Sequence, residues 1–446
     1  MKKIISIVLV FCLGTLYAQK NQQKISLKEA VSYALKNNYN IKIVTNDITA
    51  AKKKKWETTT IGLPHINAKV DYQNWLKQQT TLLPAEITGG LAGTFVPVKF
   101  GTKQNLNTSV TLTQLLFDGS YLVGLQAAKT FLKISNQAKK KTELTIREAV
   151  INAYGDVLVA EKSIEIIKKN KVVLEKNLSD AKKILQNGFN EEEDVEQLQI
   201  TLGNVTNQLH KLERLKDISY KMLNIALGNT INVPLVLTDN LDSLITNNID
   251  LNLINKPFDI KNHIDFKIAE NSRESKRLLM RLEQSKALPR LSAFINYGAA
   301  GNSNTFSFLK NTQKWYDSSL MGISLNIPLF SSFGRSAKTT QAKIALENED
   351  IRLKETKQKL NLAVAIAKSN YQFAIEQYET AKQNLALAER IEKKQQIKFF
   401  EGVSTSFNLA QAQNQLHTQQ QNYVQSMLAV IAKKAALENA LNISIK

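Results

Sequence analysis

A single cysteine, Cys12, occurs in the 446 residues, which excludes a disulfide scaffold and a multi-thiolate metal centre. Seven prolines and 17 glycines are too few for a loop-rich or low-complexity chain. The four histidines (His65, His210, His263 and His417) are scattered, and no H-E-x-x-H, G-x-S-x-G or phosphate-loop motif is found. Neither an enzyme, nor a cofactor, nor a metal site is therefore expected. The cluster Glu191-Glu192-Glu193-Asp194 reads as carboxylates complementing a helix N-terminus rather than as ligands. No apolar run reaches the ~20 residues of a membrane-spanning helix.

The charge is lopsided, with 59 Lys plus Arg against 39 Asp plus Glu, a net +20. Nucleic acid and an anionic membrane surface are the two partners such an excess suggests. The N-terminus weighs against the first. Met1-Lys2-Lys3, the apolar stretch Ile4 to Leu13 and the small Ala18 before Gln19 have the layout of a secretory signal over residues 1–18. Its removal takes away two lysines, no acid and the cysteine, leaving +18 on an exported, thiol-free chain.

Length alone suggests about three globular domains, but internal repetition points elsewhere. Leu63-Pro64 and Leu288-Pro289 each open an alternating segment, at an offset of 225 residues. Phe117 and Phe330 are offset by 213, and Gly188 and Gly402 by 214. The pattern predicts two tandem repeats, 19–228 and 263–446, joined by an aperiodic linker at 229–262. Each repeat reads as helix, two strands, then a long helix pair turning at Gly188 or Gly402. Strands are expected at about 63–76, 104–117, 289–299 and 319–330.

Those strands alternate with period two. Ile66, Ala68, Val70 and Tyr72 oppose Asn67, Lys69, Asp71 and Gln73, and Leu291, Ala293, Ile295 and Tyr297 repeat the pattern, with Phe294 out of place on the polar face. Ile327 and Leu329 extend the fourth run. Segments of about ten residues, apolar on one face, match a transmembrane barrel strand. Four such strands cannot close a barrel, which takes about eight, so copies of the chain must pool them; two copies and three both satisfy the arithmetic. Between strands and tips, Gly119 to Gln186 and Ala337 to Phe400 are free of proline, each worth about 100 Å as one helix. Their 3,4 apolar spacing means coiled-coil packing.

Ser26-Leu27-Lys28-Glu29-Ala30-Val31 through Asn38, the paired Leu-Pro strand starts, Gln114-Leu115-Leu116-Phe117-Asp118-Gly119 and the two tip glycines together resemble the TolC-like outer-membrane efflux family (outer membrane factors) over nearly all of the chain after residue 18. The resemblance implies a membrane α+β protein. Its form is a homotrimer whose 12-stranded outer-membrane β-barrel, four strands per protomer, continues into a periplasmic α-helical coiled-coil barrel. It also implies a passive exit duct of a tripartite efflux or type I secretion system, in the outer membrane of a Gram-negative bacterium and reaching into the periplasm. Its partners would be a periplasmic adaptor and an inner-membrane pump driven by protons or ATP. A periplasmic coiled-coil adaptor is the alternative.

The resemblance also assigns positions. Asn187, Gly188, Phe189 and Asn190, with Glu401, Gly402, Val403, Ser404 and Thr405, are the expected hairpin tips, which dock the adaptor and close the aperture. Glycine is expected there for a positive φ and a close backbone approach. Asp194 matches a latch position, but its usual partners are replaced by Phe399 and Ser404, and the acidic-ring positions carry Asn408 and Gln411. A weak latch and weak cation selectivity follow. Lys52, Lys53, Lys54 and Lys55, Lys129 and Lys133, Arg281, Lys286 and Arg290, and Arg335 and Lys338 flank the four strands as an expected basic belt against lipid headgroups. Residues 78–101 are expected to form the longer external loop and 229–262 to wrap the tunnel's waist.

Overall fold

The computed structural model describes residues 23–188 and 191–443; the signal segment 1–18 and the tip residues Phe189 and Asn190 lie outside them. In chain order the elements begin with β1 (Gln23–Ile25), α1 (Leu27–Asn37), α2 (Tyr39–Thr60), β2 (His65–Asn74), β3 (Thr80–Pro84), β4 (Phe95–Lys99) and β5 (Gln104–Asp118). There follow α3 (Gly119–Gln186), α4 (Glu192–Leu227), β6 (Leu235–Leu237), α5 (Leu241–Asn248), α6 (Asn252–Asn255) and α7 (Ile264–Ser285). The chain continues through β7 (Arg290–Ser303), β8 (Trp315–Asn326), α8 (Gly334–Phe400) and α9 (Ser406–Ala440). Among the described residues no helix is long and apolar enough to cross a membrane, a finding that does not bear on strands. Two units divide the chain: one takes residues up to Ile48, Ser135–Glu270 and from Arg352 onward, the other Thr49–Ile134 and Asn271–Ile351.

The second unit holds an antiparallel sheet in the order β2-β5-β7-β8. Its register aligns Ile66, Leu112, Ile295 and Met321 in one row across all four strands. Ile66, Val70, Ile295, Tyr297, Met321, Ile323 and Leu325 all lie on that face and all are exposed. Strands of 10, 15, 14 and 12 residues reach or exceed the 9–11 that cross a bilayer. The misplaced Phe294 has a physical reason. It pairs with Gly322, where an added Cβ would stand 2.7 Å from the Phe294 ring, so the aromatic covers a residue that has no side chain.

Strand boundaries differ from expectation in the second repeat: β7 runs on to Ser303 and β8 begins already at Trp315. β8 ends at Asn326, so Ile327 and Leu329 do not continue the strand. The turn after it contains Pro328, which cannot donate to a ladder, and places Ser332 and Phe333 at φ 47° and 64°. Within residues 78–101, the expected longer loop, β3 and β4 pair as a hairpin.

The Gln114–Gly119 motif is explained by its contacts. The Gln114 amide donates to the Gly62 carbonyl at 2.8 Å, and Asp118 caps α3 by accepting from the Ser120 N–H at 2.7 Å. A Cβ on Gly119 would stand 2.5 Å from Leu288.

The first unit is helical around one large core. Val150, Tyr154 and Val157 of α3, Leu223 and Leu227 of α4, Tyr371 of α8 and Val424, Met427 and Val430 of α9 meet there. Leu235, Leu241, Ile245 and Leu253 belong to the same cluster, so the aperiodic linker is folded onto the core as β6, α5 and α6. Parallel pairing of β1 with β6 is fixed at this point by Asp239. Its carboxylate accepts from the Leu27 N–H at 2.6 Å and from the Tyr154 hydroxyl at 2.9 Å. Burial, then the bond to Asp239, pushes the Tyr154 phenol well above its ordinary range.

Candidate functional site

Each long helix pair reverses at a glycine, and both reversals have the same cause. Gly188 has φ 76° and Gly402 φ 71°, the left-handed region that a Cβ disfavours. An added Cβ at either would meet nothing within 4 Å, so the second expected reason, close backbone approach, does not apply. At Gly402 the Val403 N–H reaches the Lys398 carbonyl at 2.8 Å and the Gly402 N–H the Phe399 carbonyl at 3.1 Å. This is a Schellman closure of α8. Thr405 then caps α9, accepting from the Asn408 N–H at 3.4 Å, while Val403 is 73% exposed beyond the turn.

The two tips are joined by a charged hydrogen bond. The Asp194 carboxylate accepts from the Ser406 backbone N–H at 3.0 Å, across 212 residues of sequence. Ser406 is the first residue of α9, so the carboxylate also sits at the positive end of a helix. The expectation of a weak latch came from missing side-chain partners at Phe399 and Ser404. The bond observed is to a main-chain donor, which no side-chain pattern could have revealed. Ser404 bonds instead to Gln395 at 3.1 Å and accepts from Asn408 at 3.3 Å.

Phe399 is 6% exposed and packs with Ala181, Val195, Leu198 and Leu409, an apolar plug from all four helices of the two hairpins. Beside it lies a cavity of about 820 Å³ lined in part by Gly188, Glu191, Glu193, Asp194, Glu401 and Gly402. Four carboxylates thus face one space at the tips, although Asn408 and Gln411 leave the ring positions neutral. Glu191 and Glu193 were legible in the sequence only as helix-start acids; α4 begins at Glu192, so they serve that role as well.

The basic positions of the expected belt all fall in the sheet-bearing unit. Lys52, Lys53, Lys55, Lys129, Lys133, Arg281 and Lys338 are exposed. Lys54 pairs with Glu57 at 2.7 Å, Lys286 with Glu283 at 2.6 Å, and Arg290 approaches Asp118 at 3.6 Å. Arg335 is turned inward, its guanidinium donating to the Pro328 carbonyl at 2.8 Å and the Leu329 carbonyl at 3.2 Å. It holds the strained turn after β8. Among the described residues no group of three or more His, Cys, Asp or Glu is placed to hold a metal ion.

Residues 260–442 match the family described as Outer membrane efflux protein. The outer membrane protein TolC of Vibrio cholerae serotype O1 is 23% identical over 347 residues, 77% of this chain and 74% of that protein. The chain is similar to TolC over those 347 residues. Its fold is that of solved outer-membrane channels. The crystal structure of CusC superposes with a TM-score of 0.73 at 17% identity, covering 96% of this chain and 95% of that one. The outer membrane protein VceC of Vibrio cholerae gives 0.71 at 15% identity, covering 93% and 96%. The matching family model is of an outer membrane efflux protein and the superposed structures are of outer-membrane proteins, and these likenesses lend the adaptor alternative no support.

Proposed function

We propose that the chain is the passive outer-membrane exit duct of a tripartite efflux or type I secretion system, active as a homotrimer. Carrying this reading is a four-stranded sheet with an exposed apolar face and two unpaired edges, β2 and β8. In lipid an open edge costs several kcal/mol for each unsatisfied backbone group, so such a sheet has to be closed by copies. β2 and β8 run in opposite directions through the antiparallel sheet, so β8 of one copy can continue the antiparallel order onto β2 of the next, a head-to-tail contact that closes a ring by rotation. That pairing sets the end of β8 beside the start of β2. Exposed Leu329, Phe330 and Phe333 would then meet exposed Trp56, Ile61 and Leu63 of the next copy.

In this reading the protein lies in the outer membrane of a Gram-negative bacterium, with its 12-stranded barrel leading into a periplasmic helical tunnel made of two tandem repeats per protomer. The tips at Gly188 and Gly402 dock the periplasmic adaptor, and a proton- or ATP-driven inner-membrane pump supplies the energy. Native mass spectrometry of the detergent-extracted protein, with heat-modifiable migration, tests the assembly. Three copies in a heat-sensitive complex are expected; two copies or a monomer would overturn the reading. A photo-crosslinker at Val403 is expected to capture the adaptor in cells, and failure there with a trimer intact would remove the docking role alone.

A further inference from the structure

A second cationic set lies at the end of the sheet opposite the strand ends that join the helices. Tyr72, Leu106, Gly301 and Trp315 form a cross-strand row there, on the same face as the row of Ile66, Leu112, Ile295 and Met321. The loop between β7 and β8 folds back over this row. Phe308, 5% exposed, lies against Gly301, where an added Cβ would stand 3.2 Å from its ring. Phe306 and Phe308 both meet the Tyr72 ring edge-on, at 5.9 and 6.0 Å between centroids. The loop is also held from within and from the side. The Gln313 side-chain oxygen accepts from the Ser307 hydroxyl at 2.6 Å, and its amide donates to the Lys314 carbonyl at 2.8 Å. Asn304 accepts from the Lys103 N–H at 3.0 Å, which ties the loop to the residue before β5.

Residues 72–79, 100–104 and 302–316 surround this end and contain four lysines, Lys77, Lys103, Lys310 and Lys314, and no acid. All four are exposed, and among the described residues none pairs with a carboxylate. Of the neighbouring acids, Asp71 pairs with Lys69 at 2.8 Å and Glu86 accepts from the Gly93 N–H at 2.9 Å. Asp317 is exposed on β8, and the lysines outnumber it four to one. Apolar groups stand among these charges: Leu309 is 86% exposed directly before Lys310, and Phe306 is exposed as well.

The height of this set on the sheet shows what it would meet. From Leu291 to Gly301 the apolar face runs ten residues along β7, about 33 Å of strand. At a barrel strand's tilt of about 40° that is about 25 Å, the height of the apolar band of an outer-membrane barrel. In the duct reading the loop therefore stands at the outer boundary of that band, on its lipid side. Lysine stems lie along apolar surface there while their ammonium groups reach the headgroup layer. Unpaired ammonium groups beside exposed hydrocarbon suit an amphiphile that carries phosphate where headgroup and acyl chains join.

We propose that the β7–β8 loop and this end of the sheet bind a phosphorylated glycolipid of the outer leaflet. Lys310 and Lys314, flanked by Lys77 and Lys103, hold its phosphates, and Phe306 and Leu309 lie against its acyl chains. The proposal rests on the outer-membrane reading for the leaflet and for the lipid-facing side of the sheet. It is separate from the expected belt at Lys52–Lys55, which precedes β2 at the other end of the strands.

Native mass spectrometry of the detergent-solubilised full chain, titrated with diphosphorylated lipid A or with its dephosphorylated form, tests the site. Each lysine beside an anionic headgroup layer is worth about fivefold in affinity. Screening leaves about tenfold for the pair at 310 and 314, so the diphosphorylated form is expected to bind about tenfold more tightly. Lys310→Gln with Lys314→Gln should abolish that preference, and Phe306→Ser with Leu309→Ser should weaken both forms alike. Glutamine at positions 52–55 should leave the preference intact. Equal binding of the two lipids, a 310/314 variant that keeps the preference, or inorganic phosphate binding as tightly as the lipid would each overturn the proposal. The same spectra count copies of the chain. A trimer that shows no preference overturns the site alone, whereas a monomer that shows it supports the site and overturns the duct.

Discussion

Removing one carboxylate should unfasten the tips by a calculable amount. The Asp194 bond to the Ser406 N–H is charge-assisted at 3.0 Å, a type contributing about 1.5–3 kcal/mol when it is lost. Its position at the start of α9 adds about 0.3–1 kcal/mol. Asp194 is half-buried rather than buried, so screening reduces the total to about 2 kcal/mol. Asp194→Ala should therefore shift the balance between joined and parted tips about 30-fold. Asp194→Asn keeps an acceptor oxygen and loses the charge, a deficit of about 1 kcal/mol or fivefold. Hydrogen exchange of the Ser406 amide reads both directly, because a first-turn helical N–H has no other protection. Exchange in the alanine variant should accelerate by about the factor given, with the asparagine variant between it and the parent. Glu193→Ala is the control, since Glu193 faces the same cavity without making that bond. Equal acceleration in the control would show bulk charge to be the cause, and unchanged exchange in the alanine variant would refute the latch outright.

Glycines of similar φ should respond differently. At Gly228, φ 84°, a Cβ would stand 2.4 Å from the Asn37 carbonyl oxygen, so Gly228→Ala combines left-handed strain with a backbone clash, about 3 kcal/mol in all. Gly402→Ala meets open space and should cost about 1 kcal/mol; thermal unfolding midpoints of the pair should separate accordingly. Replacing Lys52–Lys55 with glutamine should weaken the barrel more in anionic than in zwitterionic vesicles, and equal losses would discard the basic belt. Arg335→Gln is expected to destabilise in both, because its partners are its own turn's carbonyls.

Period two in β2 and β7 was legible because every second residue on one face is apolar and that face meets no other layer. The same alternation ran past the end of β8, since Ile327 and Leu329 keep the pattern while Pro328 breaks the ladder. Hydropathy cannot register a missing donor unless the proline is weighed against it. Phe294 looked like an error in the pattern until Gly322 appeared opposite, a relation that depends on register rather than on spacing. At the tips the glycines could be read from sequence, but Asp194's partner could not. A backbone N–H has no residue type, and which one a carboxylate reaches is decided by how two hairpins dock.

The interleaving of the two units bears on how the chain is made. The helical unit is assembled from three separate stretches of sequence and the sheet-bearing unit from two. β5 waits for β7, as in the pairing of Thr108 with Ala299, and Arg147 waits for Glu438 near the last described residues. Contacts this distant in sequence are slow to form and leave strand edges open meanwhile. A chain delivered N-terminus first therefore has no early half that can fold and wait. Loss of the last helix would not leave a shorter folded protein, because Met427, Val430 and Leu437 belong to the same core as Val31 and Val150. A nonsense mutation ahead of the last helix should therefore yield an unassembled chain.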